Sequence, residues 1–477
     1  MKSITVQKLS NYQSMAIAFL VAGGFFMENI DATMIVTAMP AMGRSFSVQA
    51  SDLSLGVSAY LLTLAVLIPI SGWVADVLGA RKVFATAVVV FTVASVLCGS
   101  SHGLYWFVAA RILQGAGGSM MVPVGRLVVL NNTPKEKLIN AIAALTWPAL
   151  IAPVLGPLLG GLITVHFGWR WIFWVNVPIG IIAMVAALIL IPTDIGGNKK
   201  TFDWIGFILT GAAIVCLVYG TDLASLQTVE WVRVIGLLLA CLVLLAVAVR
   251  YLNQSKNPMV TLSSLRVKTF AVTMCGGSLF RMSIFAVPFL LPLMLQVGFG
   301  LSAVYSGIIL MALFAGNCAM KPATTPIMRR FGFKPVILVC GTINGLLVLA
   351  CAFITPTMPT IAIMIVVFAG GMARSMQFTC FNTIAFADIG KNEMSSANTL
   401  FSTINQLSMG LGVVLGALSI RLASGVVNLV HSSALAAIPG IEYRLAFVPV
   451  AIVTLLGIVD GFTLAPDAGD AVSKKRK

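Results

Sequence analysis

The chain has 477 residues, of which 59% are hydrophobic and only 9% charged, and its formal net charge is +15. Soluble domains contain roughly 25% charged residues, so this composition excludes a soluble globular fold. In lipid, backbone polar groups must be satisfied within helices or a closed barrel, and the long apolar runs favour helices over alternating strands. The composition therefore predicts an all-α integral membrane protein.

Fourteen apolar stretches of membrane-spanning length follow one another along the chain, because a helix needs about 20 residues to cross the hydrocarbon core. The first stretch is longer than a signal peptide, carries Glu28 and Asp31, and is followed by no small-residue cleavage pattern, so we expect a retained span. The predicted spans lie near residues 14–39, 52–75, 82–101, 105–130, 139–165, 171–191, 203–222, 233–252, 270–297, 302–328, 334–354, 359–386, 396–424 and 443–464.

The basic residues divide unevenly between the two ends of these spans. Of the 30 Lys and Arg residues, 21 fall on the side of the chain termini, 5 on the opposite side and 4 inside spans. The positive-inside rule then places both termini and the segments 194–202 and 254–269 in the cytoplasm. The positive charge thus indicates anionic lipid head groups as partners of the basic residues, and no nucleic acid. We expect a multi-pass protein of a bacterial inner membrane.

The first six spans and the last six repeat each other. Shifts of 253 and 256 residues superpose Pro69 on Pro322, Gly79 on Gly332, Gly115 on Gly371, Lys135 on Lys391, Gly156 on Gly412 and Gly160 on Gly416. The predicted organisation is a six-helix half at 1–195, a two-helix insert at 196–258, and a six-helix half with a short basic tail at 259–477. Duplicated halves with a site at their interface are typical of transporters.

Cysteine and glycine patterns bear on metals, cofactors and the energy source. The eight cysteines lie in apolar runs without metal-ligand spacing, so no metal site is expected. The sequence contains no Walker A glycine loop, so we expect a proton gradient rather than ATP as the energy source, and no cofactor. An enzyme or a membrane sensor would need a nucleophile–base set or an appended soluble domain, and the sequence shows neither.

Four short motifs carry the functional residues. They are E-N-I-D-A-T-M-I-V-T-A-M-P from Glu28, G-W-V-A-D-V-L-G-A-R-K from Gly72, R-I-L-Q-G-A-G from Arg111 and G-P-L-L-G-G from Gly156. Together they resemble the major facilitator superfamily, specifically its fourteen-span drug:proton antiporter branch, the EmrB/QacA type. The resemblance implies two pseudo-symmetric six-helix bundles plus two inserted helices, and proton-coupled multidrug efflux by alternating access.

The first motif places two carboxylates inside the first span. Glu28 and Asp31 are three residues apart and share one face of the helix. Two carboxylates buried together cannot easily both be charged, so at least one is expected to bind the coupled proton. The alternative is that either carboxylate is solvated in a wet cavity and does not titrate.

The third motif places an arginine inside an apolar span. A charge there is costly, and Arg111 is therefore a functional candidate. The resemblance implies a role for it in proton coupling, with Gln114 one helical turn away. The alternative is a side chain that extends to the outer interface, because Tyr105 lies only about 9 Å away along the helix.

The second motif is expected to latch the cytoplasmic ends of the two halves, as the resemblance implies. Asp76 is expected beside the helix start near 395–397, whose free N–H groups favour an anion. Val77 and Ala80 replace basic residues that are usual in the family, which predicts a weaker latch. The predicted latch residues are Gly72, Asp76, Gly79, Arg81 and Lys82.

The fourth motif is expected to shape helix packing. Its proline should bend the helix, and its glycines should let another helix press close. The motif resembles the antiporter motif of the family, which implies export rather than uptake, although Ala152 replaces an upstream glycine. The residues concerned are Gly156, Pro157, Gly160 and Gly161.

A further segment, W-R-W-I-F-W-V-N-V-P-I-G from Trp169, also resembles the family. Aromatic side chains of this kind collect at membrane interfaces. We interpret the segment as an interfacial belt and the start of a span, with no part in the chemistry.

The central cavity between the halves is expected to bind the substrate. Under the shift of 253, Glu28 falls on Arg281, which predicts an ion pair or a shared cavity lining. Lys321 could instead extend to the cytoplasmic end of its span. The predicted cavity residues are Glu28, Asp31, Gln114, Arg281, Lys321 and Arg374.

Two substrate classes remain open at this stage. The resemblance favours lipophilic drugs, whereas the excess of cationic side chains in the spans favours a specific organic anion or metabolite. In both cases we expect a monomer whose partners are a small-molecule substrate, protons and membrane lipids.

Overall fold

The structure is a computed structural model, and it describes residues 11–48, 53–134, 137–192, 201–225, 230–255, 258–430, 438–469 and 472. These residues form helices and turns, with no strand among them. The chain divides into two compact units, Met1–Thr201 and Phe202–Lys477. Several sequence-predicted cytoplasmic positions lie outside the described residues: Lys2, Lys8, Lys135, Lys199, Lys200, Lys256 and Lys474–Lys477.

The first unit contains eight helices in the part of the chain that is described. Pro69 lies in a short 3-10 turn, Ile68–Ile70, that separates α2 from α3, as expected for a residue without a backbone N–H. The helices are α1 Asn11–Phe46, α2 Ser54–Leu67, α3 Ser71–Leu78, α4 Ala80–Gly99, α5 Leu104–Asn132, α6 Leu138–His166, α7 Trp171–Trp174 and α8 Asn176–Leu190.

The second unit continues the same helical pattern. Its described helices are α9 Trp204–Ser225, α10 Trp231–Gln254, α11 Lys268–Met274, α12 Gly276–Leu293, α13 Ala303–Phe331, α14 Phe333–Cys351, α15 Thr360–Ala387, α16 Met394–Val430, α17 Ile441–Leu445 and α18 Phe447–Leu456. Helix α12 is followed by one π-helical turn, Met294–Gly298.

Within the described part of the chain, twelve helical stretches are long and apolar enough, by length and composition, to cross a membrane. Side chains on α10 such as Leu239, Leu242 and Val243 are more than half exposed, which suits contact with lipid. The protein is therefore a multi-pass membrane protein with an all-helical fold. The remaining two predicted spans coincide with α6 and α9, of which α9 supplies a shorter apolar stretch, Trp204–Gly220, so a count of fourteen stays a prediction.

The glycine positions of the sequence repeat perform the same structural task in each unit. Gly79 and Gly332, 253 residues apart, have φ angles of 89° and 76° and join consecutive helices, a conformation that glycine adopts without steric cost. Gly156 and Gly160 bring α6 against α1, and Gly412 and Gly416 bring α16 against α12. The repeat therefore extends from sequence to helix packing.

The predicted two-helix insert corresponds to α9 and α10. The two helices pack on each other, and α9 packs against α16 within the second unit. Ala213, Leu217 and Cys241 form a hydrophobic cluster there, against which Leu407 and Leu411 pack. The pair thus belongs to the compact second unit, and the finer division at residues 195 and 258 stays a prediction.

Candidate functional site

A buried ion pair joins two helices of the first unit. Helix α1 carries Asp31 and α5 carries Arg111, and Nη1 of the arginine lies 2.8 Å from Oδ2 of the carboxylate. Both side chains are almost completely buried, at 0% and 1% exposure. Arg111 therefore points inward to a carboxylate, and the alternative in which it extends to the outer interface is wrong.

The second carboxylate oxygen of Asp31 is also fully occupied. Oδ1 accepts hydrogen bonds from Nε2 of Gln114 at 3.0 Å and from Nδ2 of Asn176 at 2.8 Å. Nε2 of Gln114 also donates to Oγ of Ser95 at 2.9 Å, and that hydroxyl donates to the Phe91 carbonyl. Three donors from α5 and α8 thus surround one carboxylate.

Arg111 is held on three further sides. Its Nη1 donates to Oε1 of Gln114 at 2.7 Å, and its Nε to the Gly56 carbonyl at 3.4 Å. Its guanidinium carbon lies 4.1 Å above the centre of the Tyr60 ring, a cation–π contact. We call Asp31, Arg111, Gln114, Ser95, Asn176 and Tyr60 the Asp31 network.

The network includes three residues that the sequence did not single out. Asn176 lies in the aromatic segment from Trp169, for which the sequence predicts no part in the chemistry, and its amide is a direct hydrogen-bond partner of Asp31. Ser95 and Tyr60 lie in apolar runs, where no motif marks them. The available signal was an isolated polar residue in an apolar span, which needs a buried partner but does not identify that partner.

Glu28 lies outside the Asp31 network. The residue is half-buried, and its Oε2 atom is buried without a hydrogen-bond partner among the described residues. This oxygen lies 3.4 Å from the point that a Cβ atom on Gly118 would occupy. The two carboxylates of the first motif therefore have different surroundings: Asp31 is matched by charge and donors, and Glu28 has a buried oxygen that lacks a donor.

The fourth motif packs α6 against the helix that carries both carboxylates. A Cβ atom on Gly156 would overlap Thr33, and one on Gly160 would lie 2.5 Å from Oγ1 of Thr37 and 2.8 Å from the Met34 carbonyl oxygen. Gly161 has nothing within 4 Å of such an atom. Close helix contact thus accounts for two glycines of the motif; the Pro157 side chain lies outside the described atoms.

The second motif forms the turn between α3 and α4. Gly79 adopts its left-handed conformation here, Gly72 is buried, and Asp76 is half-buried near the end of α3. Arg81 donates to the Leu188 carbonyl, and Lys82 is exposed. The latch itself would involve the second unit, so it stays a prediction.

The three predicted cavity cations of the second unit are all buried. Nη1 of Arg281 donates to the Thr273 carbonyl at 3.1 Å, and its guanidinium lies 4.6 Å from the Phe401 ring centre. Nζ of Lys321 donates to Oγ1 of Thr379 at 2.7 Å, so this amine does not extend to the end of its span. Whether Arg281 faces Glu28 concerns both units and stays a prediction.

Arg374 is bonded within the second unit to backbone and amide oxygens. Its Nη1 donates to the Ile284 carbonyl at 3.2 Å. With the Asn317 amide oriented so that its nitrogen donates to the Gly371 carbonyl, its oxygen accepts from Nη2 of Arg374 at 3.0 Å. No carboxylate pairs with Arg374 among the described residues.

A small cavity of about 20 Å³ lies between α12, α13, α14 and α15. Its polar lining consists of Ser283, Asn344 and Arg374, and Nδ2 of Asn344 has no hydrogen-bond partner among the described residues. By the shifts of 253 and 256, the lining positions Val348, Cys351, Val367 and Gly370 match Ser95, Cys98, Arg111 and Gln114 of the first unit. The second unit thus has open space at the positions where the first unit has a polar network.

Comparison with known proteins agrees with this architecture. The Major Facilitator Superfamily profile matches residues 21–413. A relative from Shigella sonnei, named "Putative multidrug resistance protein MdtD", is 34% identical over 406 residues, which cover 85% of this chain and 86% of the relative. The Escherichia coli protein of the same name has the same identity and coverage.

Solved structures of low sequence identity show the same fold. The human organic anion transporter MFSD10 (TETRAN) has a TM-score of 0.65 at 13% identity, covering 94% of this chain and 99% of its own. The proton:xylose symporter XylE has a TM-score of 0.60 at 12% identity, with 94% and 96% coverage. Since the family profile and the relatives each cover most of the sequence, the chain belongs to the Major Facilitator Superfamily.

Proposed function

We propose that the protein is a proton-coupled exporter of small molecules that works by alternating access, and that its substrates are drugs and other xenobiotics. The observation that carries the proposal is the pair of unlike carboxylates on α1, one fixed in the Asp31 network and one with a buried oxygen that lacks a donor. The relatives that are named as multidrug resistance proteins support the substrate class.

Glu28 is the carboxylate that we assign to the coupled proton. A charged Asp31 has an arginine and two amide donors around it, so a proton there would break several charge-assisted hydrogen bonds. Oε2 of Glu28 has no such donor among the described residues, and a buried carboxyl group without donors is more stable when neutral. We therefore propose that Glu28 exchanges its proton as the cavity opens to one side or the other, while Asp31 and Arg111 remain paired.

The coupling follows from competition between the two ligands. In the conformation open to the cytoplasm, substrate binding would favour release of the Glu28 proton; in the outward-open conformation, proton binding would favour release of substrate. A ligand shifts such an equilibrium by its difference in affinity for the two states. An inward proton gradient would then drive export without a covalent step.

The experiment is transport by the purified full chain in proteoliposomes with an imposed pH gradient, with ethidium as a lipophilic cation. We expect Glu28→Gln to abolish gradient-driven export while ethidium binding remains measurable. Glu230→Gln is the matched control, because Glu230 is an exposed carboxylate whose partner is Arg233, and we expect it to transport like the wild type. Wild-type, gradient-dependent export by Glu28→Gln would show that this carboxylate does not carry the proton.

A second substrate class has its own supporting observation. Arg281, Lys321 and Arg374 are all buried cations in the second unit, and buried cations suit an organic anion or metabolite. The same proteoliposomes loaded with the anion fluorescein distinguish the classes. Export of fluorescein but not ethidium, with loss on Arg374→Gln, would favour the anion exporter.

We also propose that the protein crosses the membrane fourteen times, through the twelve apolar stretches described above together with α6 and α9. The proposed divisions are a six-helix half at 1–195, a two-helix insert at 196–258 and a six-helix half at 259–477. The protein would then lie in a bacterial inner membrane with both termini facing the cytoplasm. It would act as a monomer. Ser255, at the end of α10, is expected on the cytoplasmic side. On a cysteine-free background, Ser255→Cys should be labelled by a membrane-impermeant maleimide only after lysis; labelling in intact cells would contradict this topology.

The latch is proposed to join Asp76 to the start of α16 when the cytoplasmic side is closed. The half-buried position of Asp76 beside the Gly79 turn is consistent with this role. A disulfide between Asp76→Cys and Ser395→Cys that forms readily in the membrane would support the contact, and failure to form under oxidising conditions would oppose it.

A further inference from the structure

A small niche in the first unit is bounded by two polar atoms that lack partners. Gly118 on α5 faces it, and a Cβ atom there would lie 3.4 Å from each of three atoms: Oε2 of Glu28, the hydroxyl oxygen of Tyr60 and Cδ1 of Leu64. Because Gly118 carries no side chain, the carboxylate oxygen and the phenol oxygen both border the space beside its Cα atom.

Both polar atoms are buried, and neither has a hydrogen-bond partner among the described residues. Tyr60 as a whole is 1% exposed. Buried hydroxyl and carboxyl groups nearly always have a partner, and where the protein supplies none an ordered water does so. A water beside Gly118 could accept a hydrogen bond from the Tyr60 hydroxyl and donate one to Glu28, so both groups would be satisfied by a single molecule.

We propose that the niche beside Gly118 binds one ordered water molecule, and that this water and Tyr60 stabilise Glu28 after it has released its proton. The inference rests on the proposed function, since it concerns the same carboxylate. The water supplies the donor that the carboxylate otherwise lacks, and the Tyr60 hydroxyl orients the water. Tyr60 is therefore a positioning residue for proton release.

Tyr60 also connects Glu28 to the Asp31 network. The face of its ring lies under the Arg111 guanidinium, 4.1 Å away, while its hydroxyl reaches the niche. Among the described residues of the first unit, the titratable groups that interact with Glu28 are Asp31 on α1 and Tyr60 on α2, and Arg111 on α5 contacts both of these. Tyr60→Phe would remove the hydroxyl and leave the ring under Arg111, so the two contacts can be tested separately.

The test uses two variants of the full chain and one matched control. Gly118→Ala would place a methyl group in the niche at ordinary contact distance and exclude the water, without removing a polar group. Tyr60→Phe would remove the group that orients the water. Gly23→Ala on α1 is the control, because a Cβ atom there has nothing within 4 Å.

The readout is the infrared carbonyl band of the protonated Glu28 carboxyl, identified by its loss in Glu28→Gln and followed as a function of pH. We expect the pH at which this band has half of its full intensity, its titration midpoint, to be higher by about one unit or more in Gly118→Ala and Tyr60→Phe, because the charged carboxylate has lost a donor. We also expect gradient-driven ethidium export to fall at least about tenfold in both variants, with Gly23→Ala near the wild type.

Unchanged midpoints in both Gly118→Ala and Tyr60→Phe would overturn the water site. If Gly118→Ala does not fold, Tyr60→Phe decides the question, because a hydroxyl deletion keeps the packing of the ring. The proposed function is tested by a different result: it would be contradicted if the Glu28→Gln variant still exported substrate in response to the gradient. Loss of export in Glu28→Gln with unchanged midpoints in the two niche variants would overturn the water site and leave the carrier assignment in place.

Discussion

Replacing Asp31 with Asn is expected to lower the free energy of unfolding by about 3–5 kcal/mol, because it leaves the fully buried Arg111 without a counter-charge. The neutral amide keeps the size of the side chain, so the loss would report the missing charge rather than a cavity. Thermal unfolding of the purified protein in detergent, followed by tryptophan fluorescence, is the measurement. An Asp31→Asn variant as stable as the wild type would show that the pair contributes little.

The double variant Asp31→Asn with Arg111→Met should recover most of that stability. Replacing a buried ion pair by uncharged groups of similar volume is often neutral, whereas removing one partner is not. Glu28→Gln, one turn away on the same helix, is the matched single variant, and we expect it to change the melting temperature little because no ion pair is broken. Equal losses in the single and double variants would indicate that packing, not charge, holds this region together.

Gly156→Val is expected to disrupt the contact between α6 and α1 and to reduce strongly the yield of folded protein. Its Cβ atom would overlap Oγ1 of Thr33 and would lie 2.7 Å from Cβ of the same residue, which is bonded to the backbone and cannot swing away as a side-chain end could. Overpacking of this kind costs about 1–3 kcal/mol, and more when backbone must move.

Gly161→Val, five residues along the same helix, is the matched control for Gly156→Val. Nothing lies within 4 Å of a Cβ atom at Gly161, so we expect near-normal yield. Size-exclusion chromatography of fluorescent fusion proteins compares the folded fractions of the two variants. Similar profiles would contradict the inference that Gly156 is needed for close helix packing.

The helices and their order could be predicted from the sequence because each apolar run is long and the repeat links the two halves. The first predicted span, at 14–39, corresponds to α1, Asn11–Phe46. The thirteenth predicted span, at 396–424, corresponds to α16, Met394–Val430. Apolar runs locate the part of a helix that crosses the hydrocarbon, whereas the helix continues into more polar residues that hydropathy does not mark.

The site could be predicted only in part. The position of Arg111 in an apolar span marked it as functional, and the structure pairs it with Asp31. Asn176 and Ser95 could not be found in this way, because a single neutral polar residue in an apolar run is common and its partner depends on how α4 and α8 pack. The different surroundings of the Glu28 and Asp31 carboxylates also depend on helix packing. Their spacing in the sequence places both on one face of α1 and does not distinguish them.

The cavity in the second unit has a consequence for the response of the protein to hydrostatic pressure. An interior space of about 20 Å³ means that the unit occupies slightly more volume than its atoms require. Pressure favours whichever conformer has the smaller volume, so a state in which α12 to α15 close over this space would gain population as pressure rises. High-pressure fluorescence of the purified transporter would then reveal conformers that are rare at one atmosphere, with no substrate or pH gradient to select them.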